Sequence, residues 1–172
     1  MIKREKLSKA LLVCFIDRCV NLPVRIQLQQ IFSSNFSFQR ARKTRREPNP
    51  FCRIRVEGNE SKTQAFESQT NPQFEHVSQI LCSNPLHEKL RIDVCDARNN
   101  NDVIAFFELP IKQIYDTENM TIDTQSFPLR SLSEPLDNAT IILRLSLFVR
   151  ETNMDLIEIL VFILDFITRT GK

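Results

Sequence analysis

Residues 89–95, KLRIDVC, put Leu90, Ile92 and Val94 on one side of an extended chain and Lys89, Arg91 and Asp93 on the other. A period of two held this long fits a strand with one buried face and does not fit a helix. The same period recurs at 51–56, where Cys52, Ile54 and Val56 oppose Phe51, Arg53 and Arg55. It recurs again at 139–149, where Ile141, Leu143, Leu145 and Leu147 oppose Ile142, Arg144, Ser146 and Phe148. Runs rich in β-formers at 10–16 (ALLVCFI), 61–66, 74–82, 103–109 and 125–129 complete eight expected strands. Turn chemistry separates them: Asn21-Leu22-Pro23, Thr70-Asn71-Pro72, Ser83-Asn84-Pro85, and Glu57-Gly58-Asn59, where Gly58 is expected to supply a positive φ. One helical turn is expected at 111–115. This spacing predicts an all-β, antiparallel sandwich of eight strands.

A length of 172 residues suits one domain with appendages. Only two glycines occur, which excludes phosphate-cradling loops such as GxGxxG or GxxxxGK[ST]. The five cysteines are odd in number and form no CxxC, so neither a disulfide framework nor a zinc site is signalled. Cys14, Cys52 and Cys95 fall inside apolar strand patterns and are expected to be small buried hydrophobes in a reducing compartment. His76 and His87 have no nucleophile motif beside them, so no catalytic residue is assigned and an enzyme is not expected. The charged start, residues 1–7 (MIKREKL), lacks the anatomy of a signal peptide. The sequons at Asn35, Asn59, Asn119 and Asn138 are therefore read as chance matches.

Two stretches stand apart from the strand pattern. Residues 24–47 form a long connection after the first strand, expected to be a basic loop insert that is functional or disordered. Between Pro23 and Pro50 lie Arg25, Arg40, Arg42, Lys43, Arg45 and Arg46 against the single acid Glu47, a local +5 in a chain whose total is +2. Residues 154–167 are densely apolar. At 100° per residue Asp155, Glu158, Asp165 and Arg169 share one narrow sector, which predicts a helix with a thin polar stripe within an appendage at 151–172. Fourteen residues are too few to span a bilayer, and this helix is expected to dock on the sandwich or on a partner.

The ordered set ALLVCFIDRCVNLP (10–23), PNPFCRIRV (48–56), TNPQFEH (70–76), LRIDVCD (90–96), DVIAFFELPI (102–111) and ENMTIDTQSFPL (118–129) resembles a C2 domain. It is most similar to the second C2 domain of the extended synaptotagmins. The resemblance covers about residues 8–150 apart from the insert. It implies an eight-stranded C2-type β-sandwich whose three loops at one end face membranes, in a tether that moves lipid between endoplasmic reticulum and plasma membrane. It implies a place on the cytosolic face of membranes at those contact sites. In calcium-binding relatives these loops supply aspartates, because Ca²⁺ takes six to eight oxygens and its charge must be neutralised.

The sequence departs from that pattern at the loops. Neutral Asn49 stands at the first carboxylate position, Asp96 matches a ligand, the cation Arg98 holds the next ligand position, and Asp102 lies near a third. A calcium-independent module with no metal and no other cofactor is expected, with Asp96 and Asp102 serving turn and loop-end hydrogen bonds. The expected partners are anionic membrane phospholipids, met by Arg40, Arg42, Lys43, Arg45 and Arg46 with Phe32, Phe36 and Phe38 inserting shallowly, and neighbouring C2 domains of a longer protein. Nucleic acid is not expected, since no stacking platform accompanies the basic run. The rival readings are a protein-interaction module without lipid binding and a calcium-dependent phospholipid binder.

Overall fold

The computed structural model describes residues 9–30, 41–132 and 136–149, with backbone alone for 25–30 and 41–44. It contains ten strands and one short helix among these residues: β1 Ala10–Val20, β2 Arg25–Gln30, β3 Ala41–Arg46, β4 Pro50–Val56, β5 Asn59–Lys62, β6 Gln73–Cys82, β7 Lys89–Asp96, β8 Asp102–Pro110, α1 Ile111–Tyr115, β9 Thr121–Pro128 and β10 Thr140–Val149. Eight of the strands form two antiparallel four-stranded sheets, ordered β6-β1-β10-β9 and β5-β4-β7-β8. The remaining two, β2 and β3, pair as a separate ribbon.

The alternation read from the sequence sets which side chains meet between the sheets. Leu12, Cys14, Ile16, Leu143 and Leu145 from one sheet and Cys52, Ile54, Leu90, Ile92 and Val94 from the other belong to one buried cluster. Truncating any such large aliphatic residue to Ala costs about 2–5 kcal/mol, the lost transfer energy plus a cavity. Both seams of the sandwich are stitched. On one, Asn59 Nδ2 donates to the Leu81 carbonyl at 2.8 Å and the Ser61 and Ser78 hydroxyls lie 3.0 Å apart. On the other, Phe106 and Arg130 exchange backbone hydrogen bonds, and the Phe107 and Phe127 rings pack at 4.9 Å.

Several elements differ from the sequence expectation, each for a physical reason. The first strand does not stop at Ile16: β1 continues to Val20 through an irregularity at Asp17, where the pairing with β10 and β6 shifts between Ile16 and Arg18. A bulge accommodates the polar pair that a regular strand would have placed badly. Gly58 does not carry the positive φ of its turn; Glu57 does, at 50°. The strand expected at 61–66 is β5, Asn59–Lys62, because its register against β4 begins directly after that turn. The strand expected at 125–129 begins earlier, at Thr121, held by pairing with β10 rather than by its own apolar content. Residues 25–30 and 41–46 of the long insert are extended and paired, Arg25 opposite Arg46 and Gln30 opposite Ala41. The expected C-terminal helix at 154–167 lies outside the described residues.

With glycine scarce, other residues take the left-handed backbone positions. Asn21, Asn100, Asn101 and Asn138 all have φ between 53° and 61°. Asn tolerates this region better than other non-glycine residues because its short amide bonds locally. All four lie at one end of the sandwich: Asn21, Asn100 and Asn101 in the connections of the loop cluster described next, and Asn138 beside them, its carbonyl accepting from Asn21 Nδ2 at 3.3 Å.

Candidate functional site

Three connections meet at the end where β1 finishes and β4 starts: the stretch from Asn21 to Pro50 that includes the β2–β3 ribbon, the loop through Gln64 and Asn71, and the turn from Asp96 to Asp102. The third is short and closed on itself, with Asn99 N and Asn101 N each donating to the Asp96 carbonyl at 3.1 Å. Asp102 leaves it paired with Asp96 in the β7–β8 register, and its carboxylate accepts from Asn99 Nδ2 at 2.7 Å.

Asp96 is buried, and its Oδ1 accepts two backbone N–H groups, from Asn49 at 2.9 Å and from Arg98 at 3.1 Å. Asn49 in turn uses its own Oδ1 to accept from Ser68 N at 3.0 Å. The Arg98 side chain turns back across the cluster: Nη1 donates to the Glu47 carbonyl at 3.3 Å and Nη2 to the Ser68 hydroxyl at 2.9 Å. One guanidinium therefore bridges all three connections. Asn21 adds a further tie, its N–H donating to Asn71 Oδ1 at 2.9 Å.

Several oxygens of this cluster are already engaged within the protein. Asp96 Oδ1 and Asn49 Oδ1 both accept backbone N–H bonds. The Arg98 guanidinium bonds a carbonyl and a hydroxyl at an end where a divalent ion would need several carboxylates. No group of three or more His, Cys, Asp or Glu side chains could share a metal among the described residues. Sequence reasoning identified Asn49, Asp96, Arg98 and Asp102 as the residues of this end, and the structure brings all four together.

The basic segment is placed only in part. Arg42 and Lys43 fall within β3, opposite Gln29 and Leu28; Arg45 and Arg46 are exposed. Arg40, Phe32, Phe36 and Phe38 lie outside the described residues.

A second cationic group was not singled out from the sequence. On the outer face of the β5-β4-β7-β8 sheet, Asp93 is 0% exposed beneath Arg53, Arg55 and Arg91, themselves 24%, 38% and 30% exposed. Arg91 Nε donates to Asp93 Oδ1 at 2.7 Å, Arg55 Nη2 bonds Oδ2, and Arg53 Nη2 lies 3.5 Å from Oδ2. Arg91 also reaches Glu108 at 2.8 Å and stacks over the Phe106 ring at 4.5 Å. The alternation placed Asp93 outward; the structure keeps it on that face but covers it. The available signal was register, since Arg53 stands directly opposite Asp93 and Arg55 directly opposite Arg91.

The five cysteines are all buried and unpaired. Burial pushes the Cys14 thiol up to about 12, and burial first and the Glu88 carboxylate second push Cys82 up to about 12. Neither thiol offers the thiolate that nucleophilic chemistry or soft-metal binding needs.

Two antiparallel four-stranded sheets with three connections gathered at one end define the class as a β-sandwich with clustered loops. The C2 domain family profile matches residues 11–129, and the chain belongs to that family. A search of curated proteins gives no match. Solved structures similar to it include extended-synaptotagmin 2 with its SMP domain and its C2 domains A and B, at 23% identity and TM-score 0.66, covering 87% of this chain and 30% of that one. The calcium-bound pair of C2 domains, A and B, of extended-synaptotagmin 2 aligns at 25% identity and TM-score 0.65, over 89% of this chain and 47% of that one. C2 domain A of plant extended synaptotagmin 1 aligns at 15% identity and TM-score 0.54, over 83% of this chain and 96% of that one. The chain thus spans less than half of the multidomain relatives it resembles. No helix among the described residues is long and apolar enough to cross a membrane.

Proposed function

We propose that the chain is a calcium-independent C2 module that binds anionic phospholipid weakly through its basic insert. On this reading it is part of a membrane tether and lipid-transfer protein of the extended-synaptotagmin kind, at endoplasmic reticulum–plasma membrane contacts. It binds rather than catalyses, and needs no cofactor. The observation that carries the reading is the Arg98 guanidinium tied to the Glu47 carbonyl and the Ser68 hydroxyl beside Asp96, with neutral Asn49 across from it. An internal cation holds the loop cluster together, so the loops need no divalent ion to order them.

Attraction to lipid then comes from fixed charge. A cation near an anionic leaflet gains about 1 kcal/mol. Three of Arg40, Arg42, Lys43, Arg45 and Arg46 engaging together give ~3 kcal/mol, a millimolar-class affinity. Such an affinity matters when neighbouring domains on the same chain raise the effective concentration.

Vesicle flotation tests the reading. Binding should require anionic lipid, fade as salt rises, and be the same with calcium or a chelator. Reversing Arg45→Glu and Arg46→Glu, both at exposed positions, should cut the bound fraction several-fold. A micromolar calcium heat in calorimetry would sink the proposal in favour of a calcium sensor. Absence of binding to every lipid mixture would favour the protein-interaction reading instead.

A further inference from the structure

On the outer face of the β6-β1-β10-β9 sheet the outward positions of β1, Leu11, Val13 and Phe15, are all apolar, where a solvated sheet face should alternate to polar residues. Residues of β1 at even positions from Ala10 to Ile16 point into the core, as do those of β10 at odd positions from Ile141 to Leu147. The opposite sets therefore point outward. Register aligns them in rows across three strands: Leu81, Leu11 and Phe148 in one, Val13 between Gln79 and Ser146 in the next, and Val77, Phe15 and Arg144 in the third.

Burial on this face is uneven. Val13 is 0% exposed and Ser146, directly opposite it, 3% exposed, yet neither belongs to the core cluster between the sheets. The Ser146 hydroxyl is satisfied sideways, 3.0 Å from that of Thr121, as a polar group under a cover must be. Leu81, at the sheet edge, remains 52% exposed. The pattern is that of a face shielded in its middle and open at its rim.

We propose that this face is the docking surface for the chain's own residues 154–167. Eleven of those fourteen residues are apolar (MDLIEILVFILDFI). The segment follows β10, which ends at Val149 opposite Ala10, immediately beside the Leu81–Leu11–Phe148 row. Four residues, 150–153, suffice to turn the chain back, since they reach about 13 Å. A fourteen-residue helix is about 21 Å long, the rise of about six strand residues, which matches the outward rows of β1. The other stretches outside the described residues fit poorly. Residues 1–8 carry Lys3, Arg4, Glu5 and Lys6, and residues 31–40 come after β1 has run on to Val20, away from the Leu81–Leu11–Phe148 row. Helix on sheet is a standard way to bury one face of each element, and attachment to the same chain gives the segment a high effective concentration that a second molecule lacks.

Hydrogen exchange read by mass spectrometry on the full chain tests this. Amides of 154–167 should be protected at least tenfold relative to an unstructured peptide, unchanged by tenfold dilution, in a protein that is monomeric by light scattering. Leu160→Asp, opposite the Asp155, Glu158 and Asp165 stripe at 100° per residue, should abolish that protection while peptides of β7 exchange as before. Leu81→Asp should do the same from the sandwich side; if that variant unfolds, L160D still decides. Protection that survives L160D overturns the proposal. So does protection seen only in a concentration-dependent dimer, which assigns the face to a second copy, or only after vesicles are added, which assigns the segment to lipid.

Discussion

Asp93 and Asp96 stand three residues apart on the same strand, both buried, and their charges are answered in opposite ways. Asp93 lies on the sheet face and is met by three guanidinium groups from two strands. Asp96 lies at the strand's end and is met by two backbone N–H groups, which leaves the nearby Arg98 to bond a carbonyl and a hydroxyl instead. A flat sheet brings long side chains from adjacent strands over one point. A loop cluster brings backbone. The same residue type becomes the anchor of a cation cluster in one place and a loop clasp in the other.

The largest expected effect comes from neutralising the first aspartate. Asp93→Asn leaves three clustered guanidinium groups without their shared anion and should cost about 2–3 kcal/mol, below the range for a fully enclosed pair because water reaches the arginines. A urea midpoint lowered at unchanged slope would show it; a loss under about 1 kcal/mol would mean the three cations do not depend on Asp93, and the comparison would break. Asp96→Ala should cost about 1–2 kcal/mol, since the Asn49 and Arg98 N–H groups lose their acceptor in a partly solvated place. One difference sharpens the contrast: molar salt should shrink the Asp93 effect by screening and leave the Asp96 effect nearly unchanged.

The smallest effect must be subtracted when acid is used to compare the two sites. Burial lowers the pKa of His76 below its ordinary 6.5, so the unfolded chain takes up that proton first. Its contribution to stability is complete above pH 6.5 and is lost as pH falls through and below that value. His76→Gln should flatten the part of the stability profile between about pH 7 and 5; an unchanged profile would show that His76 titrates alike in both states.

Much of the sandwich was legible because burial on one face forces a period of two. Leu90, Ile92 and Val94 are read as inward from the sequence and lie in the core. Asn49, Asp96, Arg98 and Asp102 were singled out through the C2-domain resemblance of the stretches 48–56, 90–96 and 102–111, and strand pairing and loop hydrogen bonds bring them to one end of the sandwich. Less visible were the elements whose order comes from partners rather than from their own composition. Nothing local in residues 121–124 demands a strand until β10 pairs with them. The Gly58 reading failed similarly: the local dipeptide favours Gly for positive φ, but the β4–β5 register puts Glu57 there.

Amino-acid order alone determined the alternating strands, the turns between them, the scarcity of carboxylates at the loop end and the concentration of cations in the insert, because each is a local pattern of polarity or charge. Tertiary structure alone decided that Asp93 is covered by Arg53, Arg55 and Arg91, that Arg98 reaches Glu47 and Ser68, and that Leu81, Leu11 and Phe148 form one row. Those facts depend on strand register and loop closure, which join residues tens of positions apart through hydrogen bonds that no local window contains.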